Sequence, residues 1–209
     1  MDQKFKNTGD TLTQALQKTL NSITSQQIKL GELLELVGEQ GLLFFCAILV
    51  IPFLFPVSIP GVSTIFGSVI ILIGVGVTLN RLPYLPQRIL DAPIQREHLV
   101  PMLERGLSLF ARIDRITHPR MQFFSRGNLV TGLALTFSGV LLIFPLGLVP
   151  FSNTLPGLAI LLLALGMLQK DGLLVLGGYL SMLATVIYFG ALAYGTVLAG
   201  QSILSMLGG

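Results

Sequence analysis

Three stretches without a single charged side chain dominate this chain: residues 40–80, 127–169 and 172–209. A helix needs about 20 apolar residues to cross the ~30 Å hydrocarbon core of a bilayer. Each stretch therefore holds one long crossing or two short ones. The charges that remain cannot solvate a soluble domain, since they make up 11% of the 209 residues against about 25% in ordinary soluble proteins. With 52% hydrophobic residues and a mean hydropathy of +0.79, the pattern predicts an all-α integral membrane protein. The net charge of +3 reads as cytoplasmic loops facing anionic headgroups, and no nucleic acid is expected as a partner.

Residues 1–40 are the polar part and read as two amphipathic N-terminal helices. Leu12, Leu16, Leu20 and Ile23 recur at helical spacing, with Thr11 and Gln14 at capping-box spacing before them. Leu30, Leu33, Leu34 and Val37 form a second apolar face beside Glu32, Glu35 and Glu39. No apolar h-region lies near the start, so no cleavable signal peptide is expected. The single cysteine, Cys46, sits in an apolar run and reads as inert packing.

Residues 41–209 read as a membrane domain. Its first unit, 41–80, is an apolar run interrupted by Pro52, Pro56 and Pro60 and resumed at Val62. Proline in a helix interior costs about 3 kcal/mol, so three of them end a helix there. The unit at 127–171 repeats the plan: an apolar run, Pro145 and Pro150, a hydroxyl-bearing turn, Pro156-Gly157, and a resumed apolar run. The expectation is two proline-broken helical hairpins, full or re-entrant, related as an internal repeat. Paired interrupted segments of this kind are the sequence pointer to a transporter-like site. A C-terminal transmembrane helix, 172–209, then either spans once or breaks near Gly190.

Between the units, residues 81–126 hold all eight arginines, from Arg81 to Arg126. Leu99, Met102, Leu103, Leu107, Phe110, Ile113 and Ile116 fall on one helical face and Arg105, Arg112 and Arg115 on the other. That is a basic amphipathic linker helix suited to the headgroup plane. The arginines predict a cytoplasmic linker and a C-terminus on the opposite side.

No catalytic residue is expected. His98 and His118 lack a metal-site pattern, and Ser63 lacks the second glycine of a nucleophile elbow. The membrane runs hold no carboxylate or histidine for acid–base work, so the chain is expected not to be an enzyme and to need no cofactor or metal. The candidate polar cavity comprises Ser58, Pro60, Gly61, Ser63 and Thr64 from one break and Ser152, Asn153, Thr154, Pro156 and Gly157 from the other. Backbone freed by prolines must find partners in lipid, and the helix ends so exposed suit an anionic or hydroxyl-rich solute. Arg81, Arg126, Lys170 and Asp171, at segment ends, are candidate contacts to headgroups or anions. Membrane lipids are the expected partners, and the small residues of the last segment allow a homo-oligomer.

An ordered series of short motifs carries a family resemblance. It runs from Gly31-Glu32-Leu33-Leu34 and Gly38-Glu39-Gln40-Gly41 to Phe55-Pro56 and the run from Pro60 to Gly67. It continues with Tyr84-Leu85-Pro86, Pro119-Arg120, Pro150-Phe151-Ser152-Asn153, Leu155-Pro156-Gly157 and Lys170-Asp171-Gly172. Over about residues 28–195 the chain resembles the ExoD family, associated with bacterial exopolysaccharide synthesis. The resemblance implies a multi-pass protein of the bacterial inner membrane that supports exopolysaccharide production, beside the machinery that makes the polymer. It supplies no reaction. The paired proline-containing helices are also similar in architecture alone to DedA-type proteins. A transporter-like protein and a non-catalytic scaffold or regulatory subunit are the two functional expectations.

Overall fold

Glycine sets the first bend. Leu30–Val50 forms helix α1, within which Gly38 holds φ 61° and ψ −155°, a region closed to most side chains. The helix is thus two segments meeting at a kink, and the second buries Leu42, Leu43, Cys46, Ala47 and Val50. The computed structural model describes residues 27–54, 61–81, 91, 93–95, 97, 128–144 and 149–207. Outside them lie the expected helix of residues 11–23, Ser58 and Pro60, the linker helix expected at 98–117, both histidines and Arg126.

After α1, Ile51–Leu54 tightens into a 3₁₀ turn, with Phe53 buried. Val62–Leu79 forms α2, Asn128–Ile143 α3 and Thr154–Gln169 α4. Gly172–Leu207 is one unbroken helix, α5, of 36 residues. Gly190 does not interrupt it, because one helical glycine costs only about 1 kcal/mol and apolar helix-compatible sequence continues on both sides. The strands are a minor departure from an all-helical fold. Gln27–Lys29 (β1) pairs antiparallel with Pro93–Gln95 (β2), and Lys29 Nζ lies 3.0 Å from Asp91 Oδ1. That ion pair is exposed and contributes at most about 1 kcal/mol.

Helices α2 and α3 pack antiparallel through glycine. A Cβ on Gly74 would lie 2.9 Å from the Thr136 nitrogen, and one on Gly132 2.9 Å from the Thr78 nitrogen. Thr78 and Thr136 each donate to the carbonyl four residues back, at 2.7 and 2.9 Å, and those carbonyls belong to Gly74 and Gly132. Two glycines and two threonines thus close a reciprocal contact in which no hydroxyl is left without an acceptor. Further along, Gly67 abuts Ile143 and Gly139 abuts Ile71. On the other side of the bundle α4 packs against α1 through Gly157, Phe53 and Val50. It also packs against α5, where Gly166 meets Val175 and Gly178 meets Leu163. Ile70, Val77, Leu135, Leu142, Ile160 and Leu163 fill the core between these helices.

These contacts fix which ends coincide. Gly67 beside Ile143 and Gly157 beside Phe53 bring the two helix breaks to one end of the bundle. Arg81, Lys170, Asp171 and the ribbon with Lys29 and Asp91 lie at the other end. Helix α5 starts at the charged end and passes the breaks at Tyr188 and Phe189. Tyr188 donates to the Pro150 carbonyl at 2.7 Å, and the Phe189 ring lies 5.9 Å from that of Phe144. Beyond them Gly190, Gly195 and Gly200 have nothing within 4 Å, and Tyr194, Val197 and Leu198 are exposed.

Gly74→Val should lower folding stability by about 1–3 kcal/mol, the usual cost of overpacking, because the obstructing atoms are backbone. Gly190→Ala, in open space, should leave it unchanged or raise it by up to ~1 kcal/mol. Unfolding midpoints of the two purified variants measure the difference, and equal midpoints would contradict the contact.

Candidate functional site

The helix ends at the breaks are shaped by backbone conformations that most residues avoid. Gly61 precedes α2 at φ 85°, and Phe151 precedes α4 at φ 62°. For a bulky residue the left-handed region is a strained choice, so the surroundings hold Phe151 there. Its carbonyl accepts from Leu155 N–H at 3.1 Å and its ring is exposed.

The two candidate polar sets share the uncharged end but differ in burial. In the first, Gly61 and Thr64 are exposed and Ser63 is half-buried; Ser58 and Pro60 lie outside the described residues. The Thr64 carbonyl accepts from Ser68 Oγ at 2.7 Å. In the second, Ser152 and Asn153 are 1% and 7% exposed, and Thr154 is half-buried. Pro156 and Gly157 are buried, but they lie inside the first turn of α4 rather than in the break. The two Pro-Gly pairs are therefore not equivalent: one precedes its helix and the other belongs to it. Proline is tolerated there because the first N–H groups of a helix have no acceptor within it.

Asn153 is the N-cap of α4 and yet does not cap it. Its backbone is helical, φ −96° and ψ −27°, and its side chain makes no capping hydrogen bond. The usual targets are closed: Leu155 N–H is taken by Phe151, the next residue is Pro156, and Gly157 N–H donates to the Asn153 carbonyl at 2.9 Å. The amide has no partner among the described residues.

Sequence reasoning passed over the hydroxyls inside the apolar runs. Thr131 and Tyr179 share a hydrogen bond of 3.0 Å between α3 and α5, and buried Thr185 donates to the Ser181 carbonyl at 2.8 Å. Ser138 is buried with its hydroxyl unpartnered among the described residues. The available signal was position: Thr131 and Ser138 fall on the same helical face as the buried Leu135 and Leu142.

The chemistry open to this end is that of neutral groups. Among the described residues it holds no carboxylate, histidine, lysine or arginine, and no cluster that could bind a metal. A helix N-terminus stabilises an anion by about 0.3–1 kcal/mol, up to ~2 in buried geometries. Desolvating an unpaired ion costs several kcal/mol, so the helix ends alone do not hold one. A neutral hydroxyl pays far less, and each hydrogen bond it makes contributes about 0.5–1.5 kcal/mol.

The candidate headgroup contacts gather at the opposite end, where Arg81 and Lys170 are exposed. Asn80 and Lys170 close α2 and α4 in left-handed conformation, and the N–H groups of Arg81 and Asp171 bond the Gly76 and Gly166 carbonyls, each at 2.9 Å. Buried Asp171 has a different use from the one expected: its Oδ1 accepts from Leu173 N–H at 2.9 Å and caps α5. Arg126 lies outside the described residues.

The fold defines a helical protein with two helices long and apolar enough to cross a membrane, Val62–Leu79 and Gly172–Gln201, and two helix breaks at one uncharged end. The family described as "Exopolysaccharide synthesis, ExoD" matches residues 12–191. Protein ExoD of Rhizobium meliloti is 50% identical over 206 residues, covering 97% of this chain and 86% of that protein. The uncharacterized protein slr1875 of Synechocystis sp. is 24% identical over 184 residues, covering 86% of this chain and 85% of that protein. No solved structure matches the chain. The chain belongs to the ExoD family, which is linked to exopolysaccharide synthesis.

Asp171→Ala should destabilise the protein by about 0.5–2 kcal/mol through loss of the cap, while Asp171→Asn, an equally good cap, should not. Unfolding midpoints of both variants check this. Equal losses would point to the charge rather than the cap.

Proposed function

We propose that this chain is a multi-pass protein of the bacterial inner membrane that supports exopolysaccharide production by carrying a polar solute between two duplicated helix pairs. No chemical step is assigned to it. The observation that carries the reading is a difference in length. Helices α2, α3 and α4 have 18, 16 and 16 residues, about 24–27 Å at 1.5 Å per residue, while α5 is about 54 Å long. With the charged end at the cytoplasmic interface, the 16-residue helices α3 and α4 stop short of the far side of a ~30 Å core, and the break between them lies within it. Helix α2, at 18 residues, just meets the length of a crossing, while α5 reaches well beyond it. Broken backbone inside hydrocarbon must be matched by protein, water or a ligand, and a re-entrant pair of breaks is where broken-helix transporters bind their solutes.

Duplication has its own support. The buried residues Gly67, Ile70, Ile73, Gly74, Gly76 and Val77 of α2 recur ninety positions on as Gly157, Ile160, Leu163, Ala164, Gly166 and Met167 of α4. The left-handed residues Gly61 and Phe151 and the caps Asn80 and Lys170 keep the same offset. A Cβ on Gly67 would approach the Gly139 carbonyl, and one on Gly157 the Val50 carbonyl, so the two units pack on each other reciprocally. This register pairs Pro60-Gly61 with Pro150-Phe151. It replaces the alignment of the two Pro-Gly dipeptides.

Complementation of a deletion strain tests the function. Ser63→Ala and Asn153→Ala, each losing about one hydrogen bond or ~1 kcal/mol, should lower exopolysaccharide output up to about fivefold. Membrane expression should stay near wild type, with the larger loss at the buried Asn153. Full output from both variants would contradict a role for the breaks.

A further inference from the structure

We infer that the N-terminus of α4 is a binding site for an uncharged, hydroxyl-bearing group, a polyol or a sugar ring, read by the Asn153 amide. The inference rests on the reading of the breaks as the place where a solute sits, and gives that solute a chemical class. Two observations meet at this helix end. Helix α4 is 16 residues long and has no acidic residue in its first turn, so no carboxylate competes for a ligand at this helix end. Independently, Asn153 is only 7% exposed, and its side-chain amide has no partner among the described residues. Pro156 removes the N–H it would otherwise cap, and Phe151 occupies the one before it.

A primary amide presents an acceptor oxygen and two N–H donors side by side, which matches a hydroxyl that both gives and receives. Two further buried hydroxyls lie within about two turns of the breaks. Thr185 precedes by one turn the Tyr188 that holds Pro150, and its donor is already spent on Ser181, so its oxygen remains as acceptor. Ser138, one and a half turns before the end of α3, is unpartnered among the described residues. The adjoining Pro150 carbonyl is filled by Tyr188, whereas the Asn153 amide has no partner among the described residues. With no cation among the described residues at this end, the site favours a neutral ligand over phosphate or carboxylate.

The chain has five asparagines, at 7, 21, 80, 128 and 153, so selective ¹⁵N-asparagine labelling gives five side-chain amide pairs. In lipid nanodiscs the pair missing from the Asn153→Gln variant identifies residue 153. Methyl glucoside should shift that pair saturably and leave the other four in place, and inorganic phosphate at the same concentration should shift none. Nanodiscs doped with a monoglucosyl lipid form a second arm. A shift there and not with the free glucoside assigns the hydroxyls to a lipid headgroup, and the reverse assigns them to a free solute; both support the site. A shift with phosphate alone, or no shift in any arm, would overturn it. Carriage is read separately, as glycerol-driven swelling of proteoliposomes. Saturable binding without swelling sinks carriage and keeps the site, whereas swelling with no shift at Asn153 does the reverse.

Discussion

The close approach of α2 and α3 is the contact on which the rest of the bundle depends. Gly67, Gly74, Gly132 and Gly139 bring two helix backbones together where side chains would hold them apart. In the proposed membrane placement there is little hydrophobic gain from associating apolar helices, so dense packing and satisfied hydroxyls supply it. Thr78 and Thr136 meet that requirement by folding back onto their own helices. The antiparallel register that results brings the start of α2 beside the end of α3, and so brings one helix break beside the other. The same logic, with Gly157 against Val50 and Phe53, seats α4 on α1.

From that register follows the division of the molecule into two chemically different ends. One collects the exposed cations Arg81 and Lys170 and the buried cap Asp171. The other is uncharged among the described residues and carries the buried polar groups Ser152 and Asn153. Helix α5 joins the two, packed on α4 through Gly166 and Gly178 and held at the breaks by Tyr188. Beyond Phe189 apolar side chains such as Tyr194 and Val197 are exposed among the described residues. In the proposed placement lipid and the far headgroups cover that surface, and the aromatic ring of Tyr194 falls near the interface where such rings settle.

Much of this architecture was legible in the residues, because charge-free runs and proline spacing are local signals. The apolar helices fall close to where the sequence pattern puts them, except that α4 starts at Thr154 and takes in the Pro156-Gly157 that the pattern assigns to the break. The continuity of α5 was left open, since nothing in the sequence tells a tolerated Gly190 from a breaking one. The sequence pattern aligns the two blocks on their Pro-Gly dipeptides, and the proposed duplication uses a different register. Pro60-Gly61 and Pro156-Gly157 look alike as dipeptides, yet helix start depends on φ, and it is Phe151, not a glycine, that takes the left-handed conformation before α4. Asp171 read as a headgroup contact, because capping depends on a Leu173 N–H that only the turn geometry brings near. The candidate site divides in the same way. Its residues were named from the sequence, but the unused amide of Asn153 is a matter of which neighbouring N–H groups are already taken.

The depth of the breaks is the point on which the proposed function turns, and a spin label at residue 65 measures it. Ile65 lies in the first turn of α2 and is 65% exposed, so a label there, in a Cys46→Ser background, disturbs no packing. In reconstituted bilayers it should show high accessibility to oxygen and low accessibility to a water-soluble nickel complex, as a hydrocarbon-buried site does. A label at Lys170 should report the interface. Water-like accessibility at residue 65, equal to that at residue 170, would place the breaks at the surface and contradict a membrane-embedded site.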